Sequence, residues 1–176
     1  MLIALLLALV IAGVLLYAST RPDTLCVARR LRIAAPPERI QPLVADFHQW
    51  AAWSPYEKLD PAMRKTFSGA AAGVGAVYEW NGNNKAGAGR MEITGTTPEL
   101  VAIKLDFFKP FEGHNQAGFS FVPQPDGTTE VSWTMTGPAS FMLKLTQVFM
   151  DMDRMIGRDF EEGLANLRRM AEQAPH

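Results

Sequence analysis

The sequence predicts an α+β domain in which an antiparallel sheet is covered by a long C-terminal helix, with a transmembrane helix in front of it. Three observations lead there: an uncharged apolar run at the N-terminus, a central stretch of period-two strands cut by turn residues, and an amphipathic helical pattern closing the chain. The 176 residues suffice for one soluble domain with a real core. A formal net charge of -1 supplies no basic field, so a nucleic-acid reader is not expected. The lone Cys26 excludes an internal disulfide and any multi-cysteine zinc site.

Leu2 to Ala18 carries no charge and as a helix spans roughly 25 Å at about 1.5 Å per residue, near the minimum for a bilayer. A cleaved secretory signal is the rival reading. No Lys or Arg precedes the run, however, and the small-x-small pattern around Tyr17, Ala18, Ser19 and Thr20 is poor, which favours a retained anchor over residues 1–20. Nor does Cys26 sit in a lipoprotein-type box. Arg21, Arg29, Arg30 and Arg32 follow the span, and by the positive-inside tendency they favour a cytoplasmic domain. Only Arg21 is plainly juxtamembrane, so the side of the domain stays open.

Residues 21–24 read as a linker and 25–173 as the domain. Val27, Arg29, Leu31 and Ile33 alternate with Cys26, Ala28, Arg30 and Arg32 as a first strand would. Pro36 and Pro37 then open a short helix with Ile40, Leu43, Val44 and Phe47 on one face. Trp50, Trp53, Ser54, Pro55 and Tyr56 form an aromatic loop. From Met63 to Thr136 turn chemistry at Ser68 to Gly75, Asn81 to Gly87, Thr97 to Glu99, Pro110 to Gly113 and Pro123 to Gly127 separates five or six strands. Their alternation assigns one apolar face: Tyr78 and Trp80; Met91 and Ile93; Val101, Ile103, Leu105 and Phe107; Ala117, Phe119 and Phe121; Val131, Trp133 and Met135. After Gly137 and Pro138 a stripe from Leu145 through Phe149, Met152, Ile156, Phe160 and Leu164 to Met170 predicts the long helix. Gly157 and Gly163 within it predict a close approach to the sheet or a bend.

Several stretches carry a closer likeness. They are Ala35-Pro36-Pro37-Glu38, Trp50-x-x-Trp53-Ser54-Pro55, Gly87-x-Gly89-Arg90-Met91-Glu92-Ile93, and Met150 to Leu164 on the last helix. Together with the element order they resemble the helix-grip fold of the SRPBCC (START-like) superfamily, over about Leu25 to Glu172, and in particular its bacterial members described as polyketide cyclase/dehydrase and lipid-transport proteins. The resemblance implies a curved antiparallel sheet wrapped around the terminal helix, with a cavity between them. The implied wall is Tyr78, Trp80, Met91, Ile93, Phe107, Phe119, Trp133, Met135, Phe149 and Met152. No cofactor is expected, and many such members carry a single N-terminal hydrophobic segment, which points to a single-pass protein of a bacterial inner membrane. For each wall residue, core packing competes with ligand contact. Facing aromatics and methionines suit an adaptable apolar pocket.

Chemistry in the chain is sparse. No nucleophile elbow occurs, and no catalytic residue is assigned. His48, His114 and His176 lack metal-ligand spacing, so no metal site is expected. Gly82, Gly87 and Gly89 are turn formers, not a phosphate cradle. Arg90 and Glu92 have the parity opposite to Met91 and predict a surface pair, while Tyr78 shares the apolar parity. Trp50, Trp53 and Tyr56 read either as a loop pinned by buried rings or as a lid or membrane-facing patch. Asp151, Asp153 and Asp159 read as a solvated charged face. The expected function is binding or transfer of a lipid, fatty acid or polycyclic compound by a membrane-tethered domain. A cyclase/aromatase-like enzyme with a cavity acid or base, and a protein-interaction module whose partner the sequence does not name, are the alternatives.

Overall fold

The computed structural model describes residues 1–173, which leaves His176 outside the described residues. Helix α1 (Leu2–Ser19) leads through a short link into β1 (Thr24–Ile33). Helix α2 (Pro37–Ala45) follows the double proline and is succeeded by a 3-10 turn (Phe47–Gln49), the single turn α3 (Trp50–Trp53) and a second 3-10 turn (Pro55–Lys58). Six further strands form a meander: β2 (Arg64–Gly69), β3 (Ala76–Asn81), β4 (Ala88–Thr97), β5 (Leu100–Lys109), β6 (Gly113–Pro123) and β7 (Thr129–Pro138). Strand β1 returns beside β7, which gives the antiparallel order β1-β7-β6-β5-β4-β3-β2. Register shifts in the β4–β5 pair, at Ala88/Gly89 and Ile93/Gly95, are irregularities of the kind that bend a sheet.

The expected face assignment holds on every central strand. Ile93, Val101, Ile103, Phe119, Phe121 and Val131 are fully buried on the concave face. The tryptophan loop is pinned. Trp50 and Trp53 are buried, and their indole N–H groups donate to the carbonyls of Val44 and Leu43 at 3.0 and 3.1 Å. A lid or membrane patch made of these two rings is thereby excluded, because neither reaches solvent.

The terminal helix departs from the expected single rod. It is two helices, α4 (Phe141–Phe149) and α5 (Met152–Gln173), separated by extended backbone at Met150. Ser140 caps α4 and accepts from the Leu143 N–H. Packing explains the break: α5 lies across the sheet, whereas α4 turns away to pack along α1. Two glycines let α5 come close. A Cβ at Gly157 would lie 1.9 Å from the Arg29 guanidinium, and one at Gly163 would lie 2.7 Å from the Trp133 ring.

Candidate functional site

Arg29 is the polar residue on the inner face of β1, and it sets α5 in place. Its guanidinium donates to Glu161 at 2.9 Å, to the Asp153 carboxylate at 3.0 Å and to the Asp153 carbonyl at 3.0 Å. The guanidinium holds the Asp153 carboxyl below its usual range, chiefly through this hydrogen bonding. Farther along α5, Phe160 stacks on Trp133 with ring centres 4.1 Å apart, and Trp133 meets Phe119, Trp50 and Trp53 in one aromatic cluster. Phe160, Leu164, Leu167 and Ala171 are buried, so the C-terminal half of α5 lies flush on the sheet.

Towards its N-terminus the helix stands off, and a cavity of about 460 Å³ opens beneath it. The sheet contributes Tyr78 and Trp80 from β3, Met91 from β4, Leu105 and Phe107 from β5, Ala117 from β6, and Trp133 and Met135 from β7. Helix α5 contributes Met155, Ile156 and Phe160. Small side chains make the room. Ala117 presents a methyl group where its strand neighbour Phe119 presents a ring, and Gly89 leaves space for Trp80, whose ring would lie 2.4 Å from a Cβ there. The Trp80 N–H donates to the Ala86 carbonyl at 3.0 Å, which fixes the indole at the mouth.

Besides the hydroxyls of Tyr56 and Tyr78, the side chains of Ser54, Glu57, Lys85 and Asp159 bring polar groups to this wall. Glu57 accepts from the Tyr78 hydroxyl at 2.7 Å and also pairs with Lys65. Burial pushes the Tyr78 hydroxyl well above the usual tyrosine range, and the Glu57 carboxylate adds to the effect. Asp159 is raised above the ordinary carboxylate range, first by burial and then by Glu162, while the Tyr56 hydroxyl partly offsets both. Tyr56 is raised in turn, mainly by burial. The Ser54 Oγ is buried and has no hydrogen-bond partner among the described residues.

Of the ten wall residues named from the resemblance, the structure brings Tyr78, Trp80, Met91, Phe107, Trp133 and Met135 together around the cavity. Ile93 and Phe119 share the correct face but lie deeper, fully buried in the core, because α5 and the tryptophan loop close over that part of the sheet. Phe149 belongs to α4 and is 72% exposed, and Met152 begins α5 outside the cavity. Both were placed on a continuous helix that the break at Met150 removes. Asp159 is likewise not on a solvated face: it turns into the cavity, whereas Asp153 pairs with Arg29. Sequence reasoning missed Glu57, Lys85, Ala117 and Asp159. Strand parity did put Ala117 on the apolar face, and the spacing of Asp159, four residues from Met155 and three from Ile156, signalled one of the carboxylates. Arg90 and Glu92 pair at 2.8 Å on the convex side. His114, also there, lies 2.7 Å from Asp106, whose carboxylate raises the histidine through their hydrogen bond. Among the described residues no cluster of His, Cys, Asp and Glu has the arrangement of a metal site.

Sheet, gripping helix and intervening cavity define a helix-grip protein. The chain belongs to the polyketide cyclase / dehydrase and lipid transport family, whose model matches residues 24–172. No curated protein matches the sequence. Among solved structures, protein CV1439 from Chromobacterium violaceum is similar at 17% identity, with a TM-score of 0.59 over 88% of this chain and 100% of that one. The Aha1 dimer protein from Colwellia psychrerythraea is similar at 16% identity and a TM-score of 0.59, over 86% and 99% of the two chains. The di-domain aromatase/cyclase BexL of the BE-7585A biosynthetic pathway reaches a TM-score of 0.64 at 14% identity, over 90% of this chain and 53% of its own. These likenesses establish the fold.

Proposed function

We propose that the domain binds an apolar small molecule, such as a lipid, a fatty acid or a polycyclic compound, in the cavity under α5, and that α1 tethers it to a bacterial inner membrane. The cavity carries this reading: about 460 Å³ falls within the roughly 300–1,000 Å³ of small-molecule sites, and its wall is mostly carbon with a few convergent polar groups. The unpartnered Ser54 Oγ offers a hydrogen bond to a polar end of the ligand. For the tether, α1 has a mean hydropathy of 2.7 and buries only Ala18. On this reading residues 1–20 are the anchor, 21–24 the linker and 25–173 the binding domain.

The test is photolabelling of the full chain in phosphatidylcholine nanodiscs with a diazirine-bearing fatty acid, followed by peptide mapping. Adducts on Met91, Met135 or Met155 are expected. Adducts confined to α1, with an unlabelled cavity, overturn the proposal.

A second reading has its own observation: two tyrosine–carboxyl pairs, Tyr78 with Glu57 and Tyr56 with Asp159, face the cavity. Each places a proton donor beside an acceptor in a partly desolvated wall, which suits general acid–base chemistry of the cyclase type. Incubation with a poly-β-ketone substrate mimic discriminates. Cyclised product that disappears in Asp159→Asn with Tyr78→Phe supports an enzyme, and an unchanged ligand recovered from the cavity supports a carrier. A solid core would favour the third reading, a protein-interaction module, and the cavity under α5 does not lend it that support.

A further inference from the structure

We propose that the end of the sheet at which the cavity opens is a membrane-docking rim, seated on the bilayer surface from which α1 emerges, so that the mouth faces lipid. Strand register gathers the relevant parts. Thr24 pairs with Pro138, Asn81 with Ala88, Ala88 with Lys109, and Phe107 with Gly113. One end of the sheet therefore holds the start of β1, the end of β7, the β3–β4 turn and the β5–β6 turn. The cavity mouth lies at the same end, because Lys85 and Ala86 of the β3–β4 turn, Phe107 and the first turns of α5 line it.

The membrane helix reaches this end and no other. α1 stops at Ser19 and β1 starts at Thr24, and the residues between them span less than about 20 Å even when extended. Helix α4 shortens the gap further. It packs along α1 and buries Ala18, and its buried Lys144 pairs with Asp23 of the link. The Ala139 N–H donates to the Asp23 carbonyl at 2.8 Å, which fixes the start of α4 against the same link. The rim is thus braced to α1 and does not hang from a free tether.

Its surface has the composition of an interfacial contact. With its one lysine turned inward, α4 leaves Phe141, Met142 and Phe149 exposed at 48, 59 and 72%. Phe111, in the β5–β6 turn, is 74% exposed, and Phe108 beside it is 51% exposed. Among the described residues these are all the phenylalanines more than 40% exposed, and every one lies at the end where α1 arrives. Exposed aromatic and methionine side chains next to a membrane-spanning segment lower their free energy by entering the acyl boundary. Continuity with α1 is what selects the bilayer as the occupant over a second copy of the chain. Docking in this way deepens the ligand-binding reading and rests on it for its purpose, because a rim in the interface lets an apolar guest exchange with lipid without crossing water.

The test places nitroxide labels in the full chain, in a Cys26→Ser background, at Phe111→Cys and Phe149→Cys. Pro98→Cys, in the β4–β5 turn at the opposite end, serves as the water reference, and Leu9→Cys in α1 as the lipid reference. In phosphatidylcholine nanodiscs the collision ratio of oxygen to a water-soluble nickel chelate should approach the Leu9 value at both rim positions. A ratio equal to that of Pro98 at either rim position overturns the proposal. So does spin–spin broadening at the rim without oxygen exposure, which identifies a second chain as the occupant. Circular dichroism of each labelled chain confirms an unchanged fold. Photolabelling reports separately on the ligand: lipid-exposed rim labels with an unlabelled cavity refute the carrier reading alone, and water-exposed labels with a labelled cavity refute the rim alone.

Discussion

The two halves of α5 meet the same sheet with opposite results. From Phe160 to Ala171 the helix lies flush, with Trp133, Phe119, Trp50 and Trp53 interlocked beneath it. From Met155 to Asp159 it spans a cavity of about 460 Å³ over a wall of equally apolar side chains. Hydrophobicity does not separate the halves. Local volume and reach do: Gly163 admits the Trp133 ring at one end, and Ala117 withholds a ring at the other while Arg29 clamps the helix from below. A cavity of this kind is held open by a braced helix and small residues, not by a lack of apolar ones.

The largest expected effect comes from attacking the packed half. Trp53→Ala removes a fully buried indole and its hydrogen bond to Leu43, and should cost about 3–5 kcal/mol in denaturant unfolding. A loss under 1 kcal/mol would mean, by the ~1 kcal/mol per small cavity expected of dense packing, that this half is not close-packed. Gly163→Val comes next, since its Cβ would stand 2.7 Å from the Trp133 ring and 3.2 Å from Pro55. Overpacking of this sort should cost about 1–3 kcal/mol, with a change in tryptophan fluorescence as α5 shifts.

In the hollow half a bulkier residue should be tolerated. Ala117→Phe fills empty volume, so the unfolding free energy should stay within about 1.5 kcal/mol while cavity photolabelling falls away. A strongly destabilised variant would show that the space is not available to a side chain.

The smallest effect concerns Asp159. A carboxyl raised in the folded state holds its proton more tightly there than in the unfolded chain, so stability falls as pH rises from the unfolded carboxylate range through the folded pKa. Above that window Asp159→Asn should melt at a slightly higher temperature than the parent, and below the unfolded range the two should coincide. Thermal melts across acid and neutral pH measure the difference, and a parent that is the more stable at neutral pH contradicts the placement of Asp159 in the cavity wall.

Much of this contrast is legible in the residues, though not all of it for the same reason. Strand parity placed Tyr78, Trp80, Met91, Phe107, Trp133 and Met135 on one face, because side chains alternate with period two whatever lies opposite. Depth along that face is a different matter. Ile93 and Phe119 have the same parity as the cavity wall, and only the position of α5 decides that they lie under a closed lid of packing. The helix break at Met150 was hidden for a related reason. Phe149 and Met152 continue the apolar stripe of α5, yet α4 satisfies its apolar residues partly against α1 and leaves the rest exposed. Glu57 and Asp159 gave little signal, since a carboxylate on a loop or an amphipathic helix reads as solvated until a cavity is placed beside it.

By itself, then, the sequence determined the apolar N-terminal helix, the meander and its turns, the buried face of each strand and the amphipathic closing segment. These follow from local periodicity, backbone preference and turn chemistry, which act over a few residues. Tertiary structure alone decided where the sheet and helix touch and where they part, which carboxyl groups face the gap, and that α4 leaves the sheet to join α1. Those outcomes depend on distances between groups far apart in the chain, such as Arg29 and Glu161 or Lys144 and Asp23, and no local pattern encodes such distances.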